Sequence, residues 1–159
     1  MDSETLLDIE QIRQLKARYF RTMDQKDWDA WEDVFCEDVH IDTTQEGSPI
    51  IKGRKAFRDY LSPILKNVQT VHHGHSSEIA ITGPDKAAAV WAMEDMLWWP
   101  EDEGGQRLWG TGWYYEKYRR CEDGEWRICE LVLKRIRVEI NGEQVFPPTN
   151  RQADNRTPA

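Results

Sequence analysis

Between residues 5 and 23 the apolar side chains Leu6, Ile9, Ile12, Leu15, Tyr19 and Met23 recur at steps of three or four. That is the period of an amphipathic helix, with Asp8, Arg13, Lys16, Arg18 and Arg21 on the opposite face. Asp27 reads as an N-cap, and Trp28, Trp31, Val34 and Phe35 predict a second, short helix, with Asp24 in the tight connection between the two. Val39 to Asp42 predicts a short strand, and Gln45-Glu46-Gly47-Ser48-Pro49 is turn chemistry. A third helix of about a dozen residues follows Gly53, with Ala56, Phe57, Tyr60, Leu61 and Leu65 on its apolar side and Pro63 to kink or shorten it.

The period then changes to two. Four long strands are predicted: Thr70 to Thr82, broken by Gly74; Ala87 to Trp99; Arg107 to Arg120; and Trp126 to Ile140. Gly83-Pro84-Asp85-Lys86, the polar stretch Pro100 to Gly105 and the Asp123-Gly124 hairpin signal connect them. Three helices followed by a meander of long strands predict an α+β domain, a curved antiparallel sheet packed into a cone against the N-terminal helices. Gly74, Gly110 and Gly112 permit bulges that deepen the curve. The domain spans residues 1–146, and residues 147–159 are a polar tail expected to be disordered.

Composition narrows the function. A chain of 159 residues fits one domain, and its 39% apolar and 31% charged residues are those of a water-soluble globule. A net charge of −8 repels phosphate backbones and anionic bilayers, so neither nucleic acid nor membrane is an expected partner. No run approaches the roughly 20 apolar residues needed to span a bilayer. Met1-Asp2-Ser3-Glu4 lacks the basic and apolar regions of a signal peptide, so a cytoplasmic location is expected. Cys36, Cys121 and Cys129 are widely spaced and read as reduced, structural thiols. Eight tryptophans either fill a core or line a pocket for flat or cyclic ligands.

Four ionisable residues stand where apolar ones are expected: Asp24, His72 in the first long strand, Asp95 in the second and Arg135 in the last. Alternation puts Trp91, Met93, Asp95, Leu97 and Trp99 on one face, and Leu131, Leu133, Arg135 and Arg137 on one face of the last strand. A carboxylate among such neighbours must be paired, hydrogen-bonded or protonated. Asp95 therefore forms a buried salt bridge to Arg135, Lys134 or Lys117, has a functional role, or both. Asp24 is either a turn residue capping the second helix or the carboxylate that orients His72 as a base. Tyr19 is a core residue or a weak acid aimed into the pocket. His72, His73 and His75 suggest a metal, but His73 and His75 share one face and His72 points the other way. With no carboxylate placed beside them, no metal is expected.

The run Ile12 to Phe20, Asp24, Asp27-Trp28 and Trp31 resembles the start of SnoaL-like proteins of the nuclear transport factor 2-like superfamily. Thr70 to His75, Trp91 to Asp95, Gly112 to Tyr118 and Asp123 to Ile128 resemble the rest of that pattern. The resemblance is nearest to the bile-acid 7α-dehydratase, scytalone dehydratase and lindane dehydrochlorinase types, and Tyr19 and Asp24 keep the five-residue tyrosine–aspartate spacing of the first of these. It implies that His72, oriented by Asp24, is the base of a lyase without metal or organic cofactor. Tyr19 or Asp95 would donate a proton, and Arg135 would stabilise charge or hold Asp95. Trp91, Met93, Trp113 and Leu133 would wall a site for a hydroxylated aromatic or polycyclic molecule. Loss of water is the first expectation. Isomerisation, ring closure and retro-aldol release of formaldehyde need the same groups. A non-catalytic ligand-binding or dimerisation module is the alternative, and a homodimer or homotrimer is expected.

Overall fold

Helix α1 (Ser3–Gln25) opens the chain in a computed structural model that describes residues 2–149. Asp2 caps it, accepting from the Thr5 N–H at 2.8 Å. Its buried residues Ile12, Leu15, Tyr19, Phe20 and Met23 follow the expected stripe, but the stripe is wider than expected. Asp8 and Lys16, assigned to the polar face, are buried, while Leu6 is exposed. Each buried charge has a partner: Asp8 takes Arg120 at 2.5 Å and Trp126 Nε1 at 3.1 Å, and Lys16 meets Glu116 at 2.5 Å. The helix ends where Lys26 adopts a left-handed conformation (φ 60°) and its N–H bonds back to Thr22 and Met23. Asp24 therefore lies inside the last turn of α1 and not in the connection.

Asp27 caps helix α2 (Trp28–Glu32) through the Ala30 N–H. This helix is shorter than its apolar pattern suggests, because Phe35 already belongs to strand β1 (Phe35–Asp42). Strand β2 (Ile51–Lys52) pairs with β1 and leads into helix α3 (Arg54–Leu65), which accommodates Pro63 in its last turn. The long strands follow as β3 (Gln69–Gly83), β4 (Lys86–Trp98), β5 (Arg107–Arg120) and β6 (Trp126–Ile140). A short β7 (Glu143–Phe146), absent from the sequence reading, pairs with β6.

The sheet order is β2-β1-β6-β5-β4-β3, and its two end strands, β2 and β3, do not pair, so the sheet is open. The four long strands are antiparallel as expected, but β1 joins β6 in parallel, making the sheet mixed. The burial of β4 alternates perfectly, with Ala87, Ala89, Trp91, Met93, Asp95 and Leu97 facing the helices. Trp31, Phe35 and Phe57 cluster between the helices and the sheet with centroids 4.8–5.5 Å apart, Phe35 meeting both other rings edge-on.

The three glycines have three different tasks. Gly112 sits at a register shift between β5 and β6, the expected bulge. Gly74 does not break β3; a Cβ there would meet the Phe20 ring at 2.6 Å, so it makes room for α1. The irregularities in β3 fall between His75 and Glu78, where Ser76 has φ 46°, and between Ile81 and Gly83 at its end. Gly110 makes room for two side chains: a Cβ there would lie 2.6 Å from both Arg135 Nη1 and Asp95 Oδ1.

Gly112→Ala places a Cβ 2.3 Å from the Lys134 carbonyl oxygen and 2.9 Å from Arg135 Cα, which are backbone atoms that cannot rotate away. It should lower stability by about 1–3 kcal/mol. Chemical denaturation checks this, and an unchanged midpoint would show that the bulge is more pliable than this packing allows.

Candidate functional site

The helices and the curved sheet enclose a cavity of about 250 Å³. Phe57, Tyr60, Leu61 and Leu65 of α3 form one wall, and Leu97, Trp99, Leu131 and Leu133 another. Tyr19 and Met23 approach from α1, and Tyr114 from β5. His72, Asp95, Arg135 and Glu46 are the ionisable groups other than tyrosines in this lining. A larger surface groove of about 740 Å³ lies at the far end of the sheet. Its Arg119 and Arg127 are already paired with Asp38 and Asp123 on the exposed surface, so it lacks the enclosed, mostly apolar character of a small-molecule site.

His72 projects inward from β3, directly opposite Asp95 of β4 in the register. Asp24 reaches it from the end of α1. One carboxylate oxygen lies 2.7 Å from His72 Nδ1, and the other accepts the His72 backbone N–H at 3.0 Å. The first oxygen also accepts from Thr70 Oγ1 at 2.8 Å, and Thr70 Oγ1 in turn accepts from Lys26 Nζ at 2.7 Å. Burial acts to raise the Asp24 pKa. The hydrogen bonds from the His72 ring, the His72 backbone and Thr70 outweigh it and hold the carboxyl below its ordinary value. In the neutral imidazole this arrangement puts the proton on Nδ1 and leaves the Nε2 lone pair facing inward.

Nε2 is 4.0 Å from Asp95 Oδ2, too far for a hydrogen bond. Asp95 is instead clamped by Arg135 through two parallel bonds, Nη1 to Oδ1 at 2.8 Å and Nη2 to Oδ2 at 2.7 Å. Of the partners open to Asp95 from sequence, the structure selects Arg135. Burial pulls the guanidinium pKa down, but the bonds to Asp95 and the charge of Glu46 outweigh it and raise it. Arg135 also donates to Glu46 through Nε at 2.8 Å and through Nη2, and Gln45 Oε1 accepts the Arg135 N–H at 2.7 Å. The turn at residues 44–46 is thus tied to β6. Neither Gln45 nor Glu46 was singled out in the sequence, because turn residues carry no periodicity that shows where they fold back.

Tyr19 lines the cavity and is 3% exposed. Burial pushes its phenol well above the usual tyrosine value, although its neighbour Tyr114 acts in the opposite sense. Below both rings lies the Lys16 ammonium, 3.9 Å from the Tyr19 centroid and 3.8 Å from that of Tyr114. Glu116 pairs with this lysine and accepts from Tyr118, whose hydroxyl takes the Trp91 Nε1–H at 2.9 Å. Burial lowers the Lys16 pKa against the pull of Glu116.

The residues expected to wall the site lie in different places. Trp113 stands on the outer face, 37% exposed, because Tyr114, Glu116 and Tyr118 occupy the inner positions of β5. Trp91 is buried in the core below the cavity and bonded to Tyr118, outside the lining. Met93 lies beneath Arg135, its sulfur 3.4 Å from Nη1, and also outside the lining. Leu133 lines the cavity, and Trp99 is the tryptophan that lines it among the described residues.

A family model described as the SnoaL-like domain matches residues 4–132. Among solved structures, a protein from Kribbella flavida superposes with a TM-score of 0.78 at 24% identity, covering 89% of this chain and 97% of its own. A putative scytalone dehydratase from Novosphingobium aromaticivorans gives 0.78 at 16% identity, covering 87% and 91%. A type-3 hexachlorocyclohexane dehydrochlorinase from Novosphingobium barchaimii gives 0.76 at 18% identity, covering 93% and 100%. At these identities the likenesses establish the fold. Among the described residues, no helix is long and apolar enough to cross a membrane.

Because its folded pKa is depressed, Asp24 contributes stability that is present above the unfolded carboxyl value, about 3.9, and is lost as pH falls through the lower folded value. The stability difference between wild type and Asp24→Asn should therefore shrink as pH falls below about 4. Urea denaturation across the acid limb measures it, and a pH-independent difference would contradict the pairing.

Proposed function

The chain belongs to the SnoaL-like family, and from that premise we propose that it is a lyase whose base is His72 oriented by Asp24. The observation that carries this reading is the 2.7 Å contact between Asp24 Oδ1 and His72 Nδ1, which leaves Nε2 available to a molecule in the cavity. His72 Nε2 removes a proton from the carbon next to a carbinol carbon. The C–H electron pair becomes the C=C bond, the C–O bond breaks, and the imidazolium returns its proton to the departing hydroxyl as water.

Two of the partners have roles other than proton donor. Asp95 has both oxygens engaged by Arg135, so it serves as an acceptor and a fixed negative charge. A full charge 4.0 Å from an imidazolium is worth about 4 kcal/mol at an effective dielectric of 20, and Arg135 offsets much of it. Asp95 with Arg135 is therefore chiefly a positioning unit that keeps the imidazolium from being repelled. Tyr19, kept neutral by burial, donates a hydrogen bond to the leaving or carbonyl oxygen.

Cavity size supports a compact substrate. An apolar cavity of about 150 Å³ binds benzene. The roughly 250 Å³ here suits one hydroxylated six-membered ring with small substituents better than a fused-ring steroid.

A panel of monocyclic hydroxylated aromatic and alicyclic ketones, followed by mass spectrometry, tests the reading and separates loss of water, loss of formaldehyde and isomerisation. On the substrate found, His72→Ala should lower kcat/KM by about 10²–10⁴ and Tyr19→Phe by about 10². Turnover by His72→Ala at the wild-type rate would end the dyad mechanism.

A further inference from the structure

We propose that the outer face of the sheet carries a second site, for a divalent transition-metal ion of the zinc class, held by His73, His75 and Glu94. Alternation along β3 sends His73 and His75 to the face opposite His72, and both are exposed. The sequence gives these imidazoles no carboxylate. The β3–β4 register supplies one, because it sets His73 directly opposite Glu94, just as it sets His72 opposite Asp95 on the inner side. One nitrogen from each ring and one Glu94 oxygen all lie within 4.8 Å of one another. A tetrahedral ion with bonds of about 2.0–2.1 Å holds its ligands roughly 3.4 Å apart. Small rotations of two exposed imidazoles, whose centroids are 5.7 Å apart, close that difference without moving backbone.

Two further features fit an ion. Trp109 of β5 donates its Nε1–H to Glu94 Oε1 at 2.7 Å, which orients the carboxylate and leaves its second oxygen for a metal. An outer hydrogen bond of this kind is the usual support of a metal-bound carboxylate. The chain's net charge of −8 also raises the local concentration of cations. The donor set of two imidazoles and one carboxylate selects zinc, copper or nickel over magnesium and calcium, which take oxygen ligands. A water would complete the coordination. The ion lies across the sheet from His72 and Asp95, so it touches no reacting group. It clamps β3 to β4 at the rung next to the one that positions the base.

The test is isothermal titration of untagged, EDTA-dialysed protein with zinc chloride, repeated with cobalt chloride while recording visible absorption. One ion per chain is expected, with visible cobalt bands of a low-coordinate nitrogen–oxygen site. Glu94→Gln keeps both histidines and the shape of the site, and should weaken zinc binding at least about tenfold. Trp109→Phe should weaken it about tenfold. The double variant His73→Ala, His75→Ala should lose it, with circular dichroism showing that each variant is folded. The proposal is overturned if the wild type takes up no zinc, if the double variant binds it as the wild type does, or if magnesium competes at equal concentration.

Discussion

Asp24 grips His72 twice, through the ring nitrogen and through the backbone N–H, and most of the site follows from that double contact. The backbone bond joins the last turn of α1 to β3, so the helix and the sheet cannot slide without breaking it. The ring bond sets the tautomer and points Nε2 at the cavity. Thr70, bonded to Lys26, fills a further lone pair of the carboxylate, which keeps a half-buried anion from being under-solvated. One carboxylate thereby serves as tertiary staple and as orienting group.

Around this contact the interior is layered by charge. Above lies the Asp95–Arg135–Glu46 cluster, and below the aromatic floor of Tyr19 and Tyr114 lies the Lys16–Glu116 pair. Buried ion pairs seldom stabilise a fold more than apolar residues of the same volume do. Each pair here is held by a further hydrogen bond, from Arg135 to Glu46 and from Tyr118 to Glu116, so neither pair is left half-satisfied. Gly110 shows how local that arrangement is: any larger residue would occupy the space in which Asp95 meets Arg135.

The elements were legible because apolar steps of three or four in the first part of the chain give way to long apolar segments separated by turn residues in the second. The burial of β4 alternates as a strand's must, and Trp91, Met93, Asp95 and Leu97 share the inner face, as their spacing of two predicts. Other features lay beyond that logic. The parallel pairing of β1 with β6 and the short β7 depend on tertiary docking, which no local pattern encodes. In β5 the outer positions Trp109, Trp113 and Tyr115 look more apolar than the inner Gly110, Gly112 and Glu116, so the alternation favours the wrong face. The inner face gives up apolar groups at Gly110 and Glu116 because it makes room there for one ion pair and holds one partner of another. Lys16 was misplaced for a related reason: a lysine reads as solvent-exposed until its partner, one hundred residues on, is known. Asp24 and His72 were recognisable as candidates, while the bond between them required the fold.

The tautomer of His72 reports directly on whether Asp24 orients the ring. Imidazole nitrogen NMR of uniformly labelled protein at about pH 8 distinguishes a protonated ring nitrogen from one carrying a lone pair. His72 should carry its proton on Nδ1 and leave Nε2 unprotonated, and Asp24→Asn should abolish this preference. A proton on Nε2 in the wild type, or a tautomer unaffected by Asp24→Asn, would contradict that orientation.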